Sequence, residues 1–281
     1  MTHGLLLVDK PSGVTSHDVV ERVRRAIGVR KVGHAGTLDP MATGLLVLGV
    51  GRATRLLRFL GDLEKEYEGT ARLGEVTDTL DADGQIVRTS PVDVEEAAVR
   101  DAMAAFHGDI LQRPPAYSAV KVGGRRMYAA ARKGEELEAE LRSVRVDAFE
   151  LVSFDGRHAG FRIVCSSGTY VRSLVADVGE KLGCGAHLAR LVRTRIGLFH
   201  VRDARPPEDP GDPLPLERAV AHLPRRDAEH DDEARAASNG RCLGPSGLDG
   251  PHALFDPDGR LVGIFRDTGT KSCPEVVLPA G

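Results

Sequence analysis

Two short apolar runs set the first limit on how this chain can fold. Residues 4–10 (GLLLVDK) and 44–51 (GLLVLGVG) both read as buried strands. Neither approaches the roughly 18 apolar residues of a membrane span. Between them, PSGVTS is a turn, and Ser16 is placed to N-cap a helix with apolar positions Val19, Val20, Val23 and Ile27 and Gly28 just past its end. The loop KVGHAGTLDPMATG follows. Further on, RATRLLRFLG reads as a short helix. KEYEGTARLG alternates, with Tyr67, Gly69, Ala71 and Leu73 on one face of a half-buried strand. Asp93 and Glu96 resemble a capping box for a helix ending near Gly108. RPPAYSAVKVGGRRMYAAARKG (113–134) reads as an extended segment, a Gly-Gly turn and a basic helix. Strands near 143–154 and 160–166, an amphipathic helix in TYVRSLVADVGEKLG and a strand in LARLVRTRIGLF complete this part. Strands and helices mix without a regular βαβ alternation. The expected fold is therefore α+β, a mixed, largely antiparallel sheet flanked by helices.

Six of the sixteen prolines fall between Pro206 and Pro224, among acidic residues. Residues 206–230 thus read as a linker or a peripheral wrap. They divide a large domain over 1–205 from a small β-rich C-terminal domain over 231–281, with a short helix in DDEARAASNG and a hairpin around Asp258-Gly259. A chain of 281 residues has room for both.

The N-terminus lacks a basic n-region and reads as a strand, not a signal peptide, so the cytoplasm is the expected compartment. The four cysteines include no C-x-x-C pair, so the usual zinc spacing is absent and reduced thiols are expected. The net charge of −3 conceals a segregated distribution. Residues 1–60 carry +5, 61–141 carry −7, 142–205 carry +5, 206–240 carry −5 and 241–281 carry −1. If the two basic blocks meet in the fold, they form a face suited to a phosphate backbone. Neither a P-loop nor a G-x-G-x-x-G opening a helix after a strand is found, and no cofactor or metal is expected.

The segment GTLDPMATG (36–44) carries the chemistry. Asp before Pro is by itself a common helix-start or turn signature. Here, however, Asp39 lies in a glycine-rich loop between strands, where scaffolds present reactive groups. His34 and Thr37 flank it, and Gly36 and Gly44 allow a large ligand close to the backbone.

KVGHAGTLDPMATGLLVLGVGRATRL resembles the catalytic motif of TruB-type pseudouridine synthases. VDKPSGVTSHDVV, KEYEGTARLGEVTDTLDADG, RPPAYSAVKVGGRRMYAAARKG and CSSGTYVRSLVADVGEKLGCGAHLARLVRTRIGLF resemble other segments of that family, in the same order. The resemblance covers nearly all of residues 1–200; after 206 it is loose, to small PUA-like RNA-binding domains. It implies isomerisation of uridine to pseudouridine, at uridine 55 in the T loop of tRNA, by base flipping and without a cofactor. The family's nucleophile maps to Asp39. The arginine that keeps it ionised maps to Arg172, and the tyrosine stacking on the flipped uracil, also the candidate for taking the C5 proton, maps to Tyr67. Leu191 matches the apolar residue on the other side of the base. His34 matches the residue that fills the space the base vacates. Lys10, Pro11, Tyr170 and Asp81 fall in motifs expected to shape the site. Arg22, Arg25, Lys31, Arg125, Arg126, Arg193 and Arg195 are expected to grip RNA phosphates, positioning the RNA more than reading it. Residues 231–281 are expected to add RNA contact without being needed for chemistry.

The resemblance also implies a stand-alone enzyme, with no obligatory protein partner or guide RNA; no membrane is expected, and a monomer is the default expectation. Two other readings are weighed against it. One is the catalytic subunit of a guide-RNA-dependent pseudouridylation particle, against which the 113–134 insert and the lack of a long C-terminal extension speak. The other is a tRNA-binding or tRNA-folding protein without essential chemistry, against which the Asp39, Tyr67 and Arg172 set speaks. A hydrolase using Ser16 or Ser118 lacks a nucleophile-elbow motif.

Overall fold

The computed structural model describes residues 3–118, 120–131, 135, 137 and 139–278. The strands and helices, in chain order, are β1 (Gly4–Lys10), α1 (Ser16–Ile27), β2 (Val32–His34), β3 (Thr43–Val50), α2 (Leu57–Gly61), β4 (Lys65–Leu73), β5 (Glu75–Thr77), β6 (Ile86–Thr89), α3 (Glu96–Ala104), β7 (Gly108–Gln112), β8 (Lys121–Val122), β9 (Arg125–Arg126), α4 (Met127–Ala131), β10 (Arg142–Phe154), β11 (His158–Cys165), α5 (Val171–Lys181), β12 (Ala186–Ile196), β13 (Phe199–His200), β14 (Arg225–Asp227), α6 (Asp231–Ser238), β15 (Pro251–Phe255), β16 (Leu261–Thr268) and β17 (Lys271–Val277).

The main sheet has nine strands. Seven run in the order β1-β3-β12-β4-β11-β10-β7, with β2 added to β3 and β13 to β12. Every pairing in it is antiparallel except β12 with β3. The fold is thus α+β with a mixed, largely antiparallel sheet and a small β-rich C-terminal part.

The unbroken apolarity of β1 and β3 follows from burial on both faces. Leu6, Val8, Leu46 and Leu48 pack with Val19, Val20 and Val23 of α1. Leu5, Leu7, Leu45 and Val47 point the other way, into a cluster shared with Phe255, Leu261 and Ile264 of the C-terminal sheet β14-β15-β16-β17. The proline-rich segment joins them. Leu5 and Leu214 exchange backbone hydrogen bonds, Asp9 N–H donates to Arg205, and Arg205 N–H to Leu7, so this segment covers the outer edge of β1.

Three local expectations are corrected. Thr15, not Ser16, caps α1, in a capping box closed by Asp18. Glu95 is the N-cap of α3 and makes no side-chain cap, so Asp93 and Glu96 form no capping box. Cys242 and Cys273 are disulfide-bonded, leaving Cys165 and Cys184 as the free, buried thiols. The two partners lie 31 residues apart, and only folding brings them together.

Candidate active site

Asp39 is held by its loop, which is braced from three directions. Lys10, fully buried, donates from Nζ to the carbonyls of Pro11 (3.0 Å), Pro40 (3.0 Å) and Ala42 (2.6 Å). Ser16 Oγ donates to Leu38 O at 3.2 Å and accepts from Leu38 N–H at 2.9 Å, tying the residue before Asp39 to the start of α1. Arg193 of β12 donates from Nε to Leu45 O (2.8 Å) and from Nη2 to Gly36 O (3.2 Å). Gly44 is required here: its φ is +96°, and a Cβ would lie 2.5 Å from Arg193 O.

The Asp39 side chain remains 36% exposed at the wall of a cavity of about 690 Å³. Arg172, in the first turn of α5 and 4% exposed, approaches it side-on. Its Nε lies 2.8 Å from Oδ2 as an ion pair, out of line for a hydrogen bond, and Nη2 donates to Oδ1 at 3.2 Å. The guanidinium is fixed in turn by Thr79 O (2.9 Å), Tyr117 O (3.0 Å) and Asp81 Oδ2 (3.3 Å). Asp81 is held by Thr79 Oγ1 (2.5 Å) and Asp83 N–H (3.2 Å). Leu80 between them has φ +63°, a strained position for leucine. Burial pushes the Asp39 carboxyl above the ordinary carboxylate range. Arg172 opposes this, and the neighbouring Asp81 adds to it.

Tyr67 (β4) and Leu191 (β12) line the same cavity, each almost fully buried. Burial pushes the Tyr67 hydroxyl above the ordinary tyrosine range, against the pull of Arg193 beside it. Tyr170 also lines the cavity, and Gln112 of β7 clamps its backbone, donating to Tyr170 O at 2.9 Å and accepting from Tyr170 N–H at 2.8 Å. Lys65, buried and with its pKa lowered to about 8 by desolvation, completes the floor.

The structure therefore gathers Asp39, Tyr67, Arg172, Asp81, Tyr170, Leu191 and Arg193 around one cavity. Lys10 lies behind the loop, outside the lining. His34 lines a separate cleft with His17, Arg24, Arg30 and Lys31. Its Nδ1 is buried without a hydrogen-bond partner, and burial lowers its pKa.

The phosphate-gripping set divides. Arg25 and Lys31 are exposed. Arg22 pairs with Glu208 at 3.1 Å, Arg125 with Glu135, and Arg195 with Glu64 at 2.5 Å. The Arg22 and Arg125 pairs are exposed and worth about 1 kcal/mol or less, so a phosphate can replace the carboxylate at little expense, whereas Arg195 is part-buried, near Glu66 as well, and donates to Gly197 O. The Arg126 side chain lies outside the described residues. Arg193 is corrected: at 1% exposure its guanidinium is turned to main-chain carbonyls of the Asp39 loop and is not presented at the surface to an RNA backbone.

Ser16, Gln112, Thr79, Lys65, Tyr117 and Tyr128 were not singled out as site residues from the sequence. One signal was available for the last two: the chain has four tyrosines and no tryptophan, and all four tyrosines line this cavity. Ser16 and Gln112 act through backbone contacts between distant segments and leave no such signal. Among the described residues, no group of three or more His, Cys, Asp or Glu is placed to hold a metal.

Comparison with known proteins places the chain in a family. A family model described as the N-terminal domain of TruB family pseudouridylate synthases matches residues 24–171. A tRNA pseudouridylate synthase B C-terminal domain model matches 172–206, and a tRNA pseudouridine synthase II C-terminal model matches 223–279. A tRNA pseudouridine synthase B of Thermobifida fusca is 47% identical over 291 residues, covering 99% of each chain. One from Mycobacterium sp. strain KMS is 46% identical over 286 residues, covering 98% of this chain and 96% of the relative. Among solved structures, a Cbf5-Nop10-Gar1 complex aligns with TM-score 0.76 and 29% identity over 98% of this chain and 85% of that one. The Cbf5 chain of an archaeal box H/ACA Nop10-Cbf5 complex does so with TM-score 0.76 and 27% identity over 98% and 86%. The fold is that of the pseudouridine synthases. Within that class, the chain belongs to the TruB family of pseudouridylate synthases.

Proposed function

We propose that this protein isomerises uridine 55 in the T loop of tRNA to pseudouridine, with Asp39 as nucleophile. The N1–C1′ bond breaks, the base turns and C5–C1′ forms. C5 loses a proton and N1 gains one, so no redox partner or cofactor is consumed. The observation that carries the reading is one part-exposed carboxylate, paired with a buried arginine, at the wall of a tyrosine-lined cavity. The cavity of about 690 Å³ has room for an extruded nucleotide. Extrusion costs a few kcal/mol, which enzymes offset with new contacts to the flipped base. Tyr67 and Leu191, on adjacent strands, supply the apolar faces that hold it. Lys31, in the lining of the His34 cleft, and the exposed Arg25 supply phosphate contacts.

The tRNA reading is preferred over a guide-RNA-dependent one by the curated relatives. They carry the name tRNA pseudouridine synthase B at 45–47% identity over nearly their whole length, whereas the Cbf5 complexes stand at 27–29%. The protein is accordingly expected to act as a cytoplasmic monomer. No helix among the described residues is long and apolar enough to cross a membrane.

The test is release of tritium from unmodified tRNA carrying the label at uracil C5. Wild type should release one equivalent per tRNA and Asp39→Asn none, while still binding. Equal release from both would remove Asp39 from the chemistry. Tight binding with no release from wild type would leave an RNA-folding protein. A minimal T-arm hairpin left unmodified while an unrelated stem-loop reacts would overturn the substrate.

A further inference from the structure

Among the described residues, Arg193 is the largest side chain to be fully enclosed. No carboxylate among those residues lies within ion-pair distance of it; it donates to main-chain carbonyls, and the Tyr67 hydroxyl lies beside it. A buried cation without a counter-charge works against folding. A neutral residue would fill the volume at less cost, and departures of this kind concentrate at functional sites.

The carbonyls it reaches are on both arms of one loop. Gly36 and Thr37 precede Asp39, and Leu45, the third residue of β3, follows it. In the backbone register Arg193 is paired with Gly44 of β3 on one side and with Tyr67 of β4 on the other. It is thus the residue of β12 that is paired in register with Tyr67 itself and with Gly44 at the end of the Asp39 loop. Gly44 has no room for a side chain against it, so this contact is close-packed as well as hydrogen-bonded.

We propose that Arg193 is a positioning residue for the isomerisation: it closes the 36–45 loop and sets the separation of Asp39 from Tyr67. The proposal rests on the pseudouridine synthase reading. Its action is on the geometry of the reacting groups, so its loss falls on turnover and spares RNA affinity.

The experiment compares Arg193→Gln and Arg193→Lys with wild type, reading tritium release for kcat and KM, and Tm for folding. Arg193→Gln should lose about 100-fold in kcat, the scale of a misplacement of about 1 Å. Its KM for tRNA should stay within about threefold. Arg193→Lys keeps the charge but not the planar fork, and should remain at least about tenfold below wild type. A raised KM with kcat retained would mean a phosphate contact and overturn the proposal. So would a lowered Tm with wild-type kcat in the folded protein, which would mean stability alone. If Arg193→Gln does not fold, the same split read on Arg193→Lys decides. Absence of release from wild type would count against the activity itself, not against Arg193.

Discussion

The Nε of Arg172 lies 2.8 Å from Oδ2 of Asp39, and Nη2 donates to Oδ1 at 3.2 Å. Even so, burial leaves the Asp39 carboxyl above its ordinary value of 3.8. As the proposed nucleophile, Asp39 must be ionised, so activity should be lost as pH falls through its folded-state pKa, and the acid limb of kcat/KM should lie above 3.8. Arg172→Gln removes the strongest lowering influence. It should move that limb to higher pH and reduce turnover at pH 7 by about 100-fold or more, with modest loss of tRNA binding. A limb that stays in place would show that Arg172 does not act through the Asp39 charge.

Lys10 should show an unusual pH signature. Desolvation lowers its pKa from 10.5 to about 8 in the folded protein. Between those values the unfolded chain holds a proton that the folded one has released, so this residue's contribution to stability rises with pH. Lys10→Met removes that contribution and leaves three carbonyls without their donor, a loss of about 3 kcal/mol. The destabilisation, from denaturant melts, should grow between pH 8 and pH 10. A deficit that shrinks over that window would mean the ammonium is favoured in the fold.

Thiol counting tests the Cys242–Cys273 bond. Cys165 and Cys184 are buried, and burial pushes the Cys165 thiol up to about 11. Native protein under non-reducing conditions should show no fast thiol, denatured protein two, and reduced denatured protein four. Closing a loop of this length is worth about 3–4 kcal/mol by chain entropy, so Cys242→Ser should lower Tm by several degrees.

Removal of residues 231–281 is expected to do more than weaken RNA binding. Phe255, Leu261 and Ile264 share a core with Leu5, Leu45 and Phe59. The truncated chain should therefore lose Tm or solubility. A truncation with wild-type Tm and only a raised KM would show that the shared core contributes little.

Much of this was legible along the chain. The apolar runs of β1 and β3 and the alternation of β4 specified a sheet, because side-chain period follows directly from backbone geometry. The position of Asp39 in a glycine-rich loop between strands was legible for the same reason. The capping of α1 was misjudged by one residue, because Thr15 and Ser16 are both good caps and only the contact of Ser16 with Leu38 separates their roles.

The sequence by itself determined the class of fold and the family, and pointed to Asp39 as the proposed reactive carboxylate, since these reside in local pattern and contiguous motifs. The tertiary structure alone decided which charges reach the surface and which face inward. Arg193 and Arg195 are two residues apart on one strand, yet one is enclosed by carbonyls and the other paired near the surface. It also decided that Cys242 meets Cys273 and that the C-terminal sheet completes the core beneath β1. Each depends on segments far apart in the chain being brought within a few ångströms, and no local spacing records such distances.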